Sequence, residues 1–135
     1  MAYIQFKDCV IDGVNVVEAW LREQPEDIQA EFLVLLDRFE KVPVENWRQL
    51  RRNTKGEDRG YKKLHGEHAV LREFSVDKEG HYRLAAYRGP ADSEMTLLSG
   101  WIHSSDGAQK VGLELAMARR EMLREGKAER VDHVT

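Results

Sequence analysis

The sequence predicts an α+β domain with an N-terminal helical hairpin, an antiparallel sheet of three to four strands and a C-terminal helix. Apolar residues recur at helical spacing near the start of the chain, alternate with a period of two in its middle, and return to helical spacing near its end. The 135 residues have the length of a single domain, and residues 1–135 are expected to form one.

The predicted hairpin follows residues 1–12, which are interpreted as a short strand or an ordered arm. Asn15 is a candidate N-cap with Glu18 as its capping-box partner, and Pro25 marks the corner between two helices. The apolar faces of these helices consist of Val16, Val17, Trp20 and Leu21 in the first, and of Ile28, Phe32, Leu35, Leu36 and Phe39 in the second. Pro43 is expected to end the second helix.

The sheet is predicted after a polar loop over residues 51–60. Three strand patterns follow, within residues 61–76, 82–87 and 95–102, and they are separated by turn sequences. Short connections between successive strands favour an antiparallel meander. The third strand is the most apolar, so it is expected near the centre of the sheet.

The C-terminal helix is predicted after a break at residues 104–107, where Ser105 or Asp106 could serve as the cap. Its apolar residues recur at spacings of four, three and four, which predicts a buried face of Val111, Leu115, Ala118 and Met122. The polar segment 127–135 is expected to fray.

Composition indicates a globular chain, and the cysteine content and the N-terminal sequence predict a cytoplasmic one. Hydrophobic residues make up 41% and charged residues 33% of the sequence. Cys9 is the only cysteine, so no internal disulfide can form, and it is expected to be a small buried apolar residue. Neither a signal peptide nor an apolar run long enough to cross a membrane is visible.

Charge is distributed unevenly, and this bears on binding partners. Residues 47–68 carry seven basic and three acidic groups, although the whole chain has a net charge of −3. Arginine and lysine neutralise phosphates and aromatic rings stack on bases, so a basic segment next to strand tyrosines suits single-stranded RNA. The alternative is a solvated basic loop with ordinary core aromatics.

His81, Arg83 and His103 could supply ribonuclease chemistry without a cofactor. Cleavage of RNA needs a base at the 2′-hydroxyl, a cation near phosphorus and an acid for the leaving oxygen. His81 and Arg83 point to the same face of a strand, which is expected to be an open face, with helices covering the other. An ordinary solvated sheet face is the alternative. A zinc site at His65 and His68 is disfavoured, because glycine and the strand pattern there argue against a helix.

Several short stretches, in this order, resemble the RelE/ParE toxin superfamily, and within it the HigB-like and phage-derived branch. The resemblance covers roughly residues 14–125 and is carried by segments 17–21, 71–74, 82–84, 96–102 and 113–116. It implies a RelE-like toxin of a toxin–antitoxin pair, an mRNA interferase that acts on mRNA in the ribosomal A site. It also implies a cognate antitoxin that covers the active face.

Site residues follow from the same resemblance. Arg83 corresponds to the strand arginine of the family. By position, Lys62, Lys63 and Arg72 would contact RNA phosphates, and Lys110 is the basic residue that remains near the start of the last helix. His103 and Ser104 stand where the family usually has consecutive lysines.

Two other functions are compatible with the sequence. The replaced lysines and the acidic first third of the chain suit a non-catalytic protein-binding module on the same fold. A gyrase-directed ParE-type toxin would instead cause DNA damage and leave mRNA intact. The sequence leaves the oligomeric state open, including a homodimer.

Overall fold

A seven-stranded mixed sheet forms the centre of the protein. The computed structural model describes residues 2–50 and 60–133. The strands are β1 (Gln5–Ile11), β2 (Val14–Asn15), β3 (Tyr61–Lys63), β4 (Leu71–Asp77), β5 (His81–Arg88), β6 (Glu94–Ile102) and β7 (Glu129–Asp132). Their order is β2-β1-β6-β5-β4-β3, and β7 also pairs with β1. β1 runs parallel to β6, and the other pairings are antiparallel.

The helices lie between strands along the chain. They are α1 (Val16–Arg22), α2 (Glu26–Glu40), the short α3 (Trp47–Leu50) and α4 (Asp106–Arg124). Asn15 accepts the N–H of Glu18 at 2.9 Å, which is the predicted cap of α1. Ser105 accepts the N–H of Ala108 at 3.1 Å and so caps α4. In the described residues no helix has the length and apolarity needed to span a bilayer.

The predicted sheet of three to four antiparallel strands behind an N-terminal helical hairpin is wrong. The chain begins with a strand, β1, which pairs with β6 in parallel, and α1 and α2 stand between β2 and β3. The tail predicted to fray forms β7 over Glu129–Asp132. The sequence analysis allowed a strand within residues 1–12 but placed neither β1 nor β7 in the sheet, because their partners lie far away in sequence and no local pattern reports such a pairing.

Both faces of the sheet are covered, but to different extents. On the α1/α2 face, Phe6, Phe74 and Leu84 pack under α1 and α2. On the opposite face, α4 covers Ala85 and Leu98. The prediction that helices cover one face only is therefore wrong. The α4 face has an open depression next to the N-terminal end of α4.

The buried side of α4 differs from the predicted one. Gly112, Leu113 and Ala116 face the sheet, whereas Val111 is 66% and Leu115 42% exposed. A Cβ atom on Gly112 would lie 2.2 Å from the ring of Trp101, so only glycine permits this approach. The helix therefore packs through one leucine and two small residues, and apolar periodicity does not reveal that small residues form part of the contact.

The middle strands agree more closely with the sequence. β6 lies between β1 and β5, so the prediction of a central third strand is confirmed. The turn after β4 occupies the three residues 78–80, where the Lys78 N–H donates to the Gly80 carbonyl at 3.1 Å. The predicted loop 51–60 lies outside the described residues except for Gly60.

Candidate active site

The tight turn between β4 and β5 places Asp77 directly opposite His81. Their ladder positions are paired, and His81 Nδ1 lies 2.8 Å from Asp77 Oδ1. A carboxylate can only accept a hydrogen bond, so Nδ1 is the donor. The other ring nitrogen, Nε2, is then the atom of His81 that can exchange a proton with a ligand.

Arg83 lies two residues further along β5, on the same face as His81. Its Nη1 donates to Asp77 Oδ1 at 2.8 Å and to the Tyr82 carbonyl at 2.9 Å. Its Nε lies 3.3 Å from Oε1 of Glu73. The Arg83 side chain is 13% exposed and the Glu73 side chain 3%, so the guanidinium is held firmly at the surface of the sheet.

Oδ1 of Asp77 therefore accepts hydrogen bonds from both His81 and Arg83. Partial burial raises the pKa of the Asp77 carboxyl, but hydrogen bonds from Arg83 and His81, with the charges of both, outweigh it. The net effect is a pKa below the usual value for aspartate. Asp77 remains ionised at neutral pH and can orient both neighbours.

His103 joins these residues from the end of β6. Its backbone N–H donates to the His81 carbonyl at 2.7 Å, which brings the two histidines side by side. Together, His81, Arg83, His103, Ser104 and Ser105 line an open depression of about 300 Å³. The three residues predicted to be catalytic thus meet on one surface, which we call the histidine depression.

A polar network behind the histidine depression connects it to α4. Glu73 Oε2 accepts from Gln109 Nε2 at 2.8 Å, and Gln109 Oε1 accepts from the indole N–H of Trp101 at 2.7 Å. Since Glu73 also contacts Arg83, the position of the guanidinium depends on the docking of α4.

Sequence reasoning missed three residues of this arrangement: Glu73, Asp77 and Gln109. Asp77 could have been found, because a three-residue turn places the last residue of one strand opposite the first of the next. Glu73 then follows by the alternation of β4. Gln109 had no such signal, since its role depends on how α4 rests on the sheet.

The predicted RNA contacts do not form one group. Lys62 shares the face of the histidine depression, with its ammonium 3.7 Å from Glu73 Oε1. Lys63 on β3 is the ladder partner of Arg72 on β4, one position along from the pair of Lys62 and Glu73, so both point to the opposite face of the sheet. Lys110 is exposed on α4, 3.8 Å from Glu114. Of the other basic residues of segment 47–68, Arg48 lies on α3, whereas Arg51, Arg52, Lys55 and Arg59 lie outside the described residues.

Two imidazoles and a guanidinium around one depression can perform acid–base chemistry on a bound anion. In residues 2–50 and 60–133, no three side chains of histidine, cysteine, aspartate or glutamate gather as metal ligands. His65 directly precedes a short 3₁₀ helix, Gly66–His68, and His68 is the last residue of that helix.

Comparison of the chain with protein-family models, with curated proteins and with solved structures gives no match.

Proposed function

We propose that this protein is a toxin-type endoribonuclease that cleaves ribosome-bound mRNA in the cytoplasm and is neutralised by a cognate antitoxin. The observation that supports cleavage is the meeting of His81, Arg83 and His103 in one depression, with Asp77 fixing the first two. The ribosome and the antitoxin enter the proposal through the resemblance to RelE/ParE toxins.

The proposed reaction is a transesterification. Nε2 of His81 accepts the proton of a 2′-hydroxyl, whose oxygen forms a bond to phosphorus. The bond between phosphorus and the 5′-oxygen breaks, and the imidazolium of His103 donates a proton to that oxygen. The products are a 2′,3′-cyclic phosphate and a free 5′-hydroxyl, so no water or oxidant is consumed.

Arg83 would stabilise the charge that gathers on the non-bridging oxygens. Among the described residues its Nε and Nη1 have protein partners, whereas Nη2 does not. The two N–H groups of Nη2 can therefore donate hydrogen bonds to a phosphate without breaking the contacts that hold the side chain.

The decisive variant is Arg83→Ala. On induced expression in a bacterium, wild-type protein should arrest growth and produce new mRNA 5′ ends inside translated codons, and the variant should do neither. Arg124→Ala is the matched control, because it removes an exposed arginine at the far end of α4. Circular dichroism checks the fold, and Arg83→Lys preserves a cation opposite Glu73 if the alanine variant unfolds. A folded Arg83→Ala protein that still arrests growth would contradict the assignment.

The two histidines can be tested by substitution. In purified translation reactions, His81→Ala and His103→Ala should each lower the rate of mRNA cleavage by about 10²- to 10⁴-fold, because the first removes the proposed base and the second the proposed acid. Cleavage at the wild-type rate by both folded variants would remove both histidines from the reaction.

A non-catalytic protein-binding module is the second candidate. The observation in its favour is that Arg83 is already paired with two carboxylates, Glu73 and Asp77, which reduces its attraction for a phosphate. Normal growth and intact mRNA, from confirmed folded protein that forms a tight complex with another protein, would favour this candidate.

A further inference from the structure

A second cationic site lies far from the histidine depression. It is a cleft of about 500 Å³ at the other end of β4 and β5, on the α1/α2 face of the sheet. Four basic residues surround it: Arg48 from α3, Lys63 from β3, Arg72 from β4 and Arg88 from β5. We call this site the basic cleft.

The charges of the basic cleft are not neutralised within the described chain. None of its four cations lies within ion-pair distance of a described carboxylate. By contrast, Lys62, one residue before Lys63, pairs with Glu73. Four cations around one cavity, none of them paired with a described carboxylate, repel each other, and a bound anion would relieve that repulsion.

Two of the arginines are positioned by the backbone. Arg72 Nη1 donates to the Ala69 and Leu71 carbonyls, at 3.3 and 3.2 Å. Arg88 Nε donates to the Asp92 carbonyl at 2.8 Å. These bonds fix both side chains while leaving the other guanidinium nitrogens for a ligand.

Among the described residues, Glu45 is the one acidic residue that lines the cleft. Its carboxylate oxygens accept the N–H of Ala2, at 3.2 and 3.4 Å. The described residues that line the cavity therefore carry a clear excess of positive charge.

The floor of the cleft is apolar and rigid. It is formed by Trp47, Tyr61 and Met95, each at most 5% exposed. The indole N–H of Trp47 donates to the Phe39 and Val42 carbonyls, both at 3.0 Å, which fixes the ring. A cationic rim above an apolar floor selects an anion that also carries a flat or apolar part, rather than a bare inorganic ion.

We propose that the basic cleft binds a phosphorylated nucleotide, with the phosphate among the four cations and the base or sugar on the apolar floor. The nucleotide is either a free mononucleotide or one unit of an RNA strand. The inference does not depend on the cleavage chemistry at the histidine depression, because the two sites share no lining residue.

Calorimetric titration of the full chain tests the proposal with three probes: inorganic phosphate, 5′-UMP and a short 2′-O-methyl oligoribonucleotide, which cannot be cleaved. At least one nucleotide probe should bind ten times more tightly than phosphate. Arg48→Ala and Arg88→Ala should each weaken that binding about tenfold, and with the oligonucleotide each should also lower the dependence of log K on log salt by roughly 0.7. Arg124→Ala should change neither.

The location of the ligand is read from the indole N–H signals in an NMR spectrum. Nucleotide in the basic cleft should shift the Trp47 signal and leave Trp101, which belongs to the network behind the histidine depression, unchanged. Binding of 5′-UMP identifies a free nucleotide as the ligand, and binding of the oligonucleotide alone identifies an RNA strand. The proposal is overturned if no probe binds, if Arg48→Ala and Arg88→Ala behave like Arg124→Ala, or if Trp101 shifts instead of Trp47.

Arg83→Ala separates this inference from the proposed ribonuclease. It should abolish cleavage and keep nucleotide binding in the basic cleft. A protein that binds nucleotide but never cleaves RNA would contradict the proposed function alone, and one that cleaves RNA with an empty cleft would contradict this inference alone.

Discussion

At the residue scale, Asp77 determines the arrangement of the histidine depression. One of its oxygens contacts both His81 and Arg83, at 2.8 Å each. This shared contact couples the orientation of a proton-transferring ring to that of a cation. Asp77 is therefore a positioning residue, and its charge should also affect stability.

We expect Asp77→Asn to alter the pH dependence of stability in one direction. The pKa of Asp77 is lowered on folding, so its ionised form stabilises the protein above about pH 4, the range of unfolded aspartate, and this contribution disappears as pH falls through the folded pKa. Urea unfolding at several pH values should show wild type more stable than Asp77→Asn at pH 6, with the difference vanishing in acid. Glu31→Gln, an exposed change on α2, is the control. A difference that persists at the lowest pH would contradict this reasoning.

The sequence predicted the part of this site in which strand alternation alone determines the face that each side chain occupies. His81 and Arg83 share a face, while Tyr82, Leu84 and Ala86 are buried. It was uninformative about Glu73 and Gln109, because their contact crosses from β4 to α4. Side chains that meet between elements are determined by packing, which a single sequence does not display.

At the element scale, a close backbone approach at Gly112 helps to hold α4 against the sheet, beside the buried Leu113. Gly112 lies against the Trp101 ring, and its carbonyl accepts from Ser99 Oγ at 3.2 Å. Trp101 in turn holds Gln109, which bonds to Glu73. Docking of this helix therefore affects both stability and the position of Arg83.

Two glycines of α4 allow a matched test of this docking. Gly112→Ala places a Cβ 2.2 Å from the Trp101 ring and should lower the free energy of unfolding by roughly 1–3 kcal/mol. Gly107→Ala meets only Ser105 Oγ, at 3.7 Å, and should stabilise the helix by about 0.5–1 kcal/mol. Urea denaturation measures both changes. Equal effects of the two substitutions would show that the Trp101 contact is unimportant.

The helices themselves were predictable because their signals are local. Asn15 caps α1 and Ser105 caps α4, each by accepting a hydrogen bond from the N–H of the residue three positions later. The buried side of α4 was not predictable, since Gly112 and Ala116 face the sheet while Val111 faces solvent. An apolar pattern identifies a helix, but the shape of the opposing surface determines which side is buried.

At the scale of the whole molecule, β1 is the strand whose position the sequence did not reveal. It accounts for the parallel pairing of the sheet and buries Phe6 and Cys9 completely. Gln5 pairs with Glu94, far along the chain, so no local alternation or turn reports this contact. The meander of β4, β5 and β6 was easier to predict because short turns connect those strands.

Cys9 can report the opening of the whole sheet. Burial raises the pKa of its thiol, only partly offset by the nearby Arg119 charge, and its side chain is inaccessible. We expect a thiol reagent to modify native protein at a rate that follows global unfolding, so the rate should rise with urea in proportion to the unfolded fraction. A Cys9→Ala, Ser104→Cys double variant, with its thiol on an exposed residue, should react at once. Equally fast labelling of Cys9 in native protein would contradict the burial of β1.

The parallel contact between β1 and β6 also has a consequence for synthesis. In a nascent chain β1 emerges before β6, its parallel partner, because Glu94, where β6 begins, follows Ile11 by 83 residues. At about 5–20 residues per second, roughly 4 to 17 s pass before that partner has been made. During this interval Ile4 and Phe6 have no sheet to enter, so every newly made copy passes through a stage in which its N-terminal segment is accessible to chaperones and proteases.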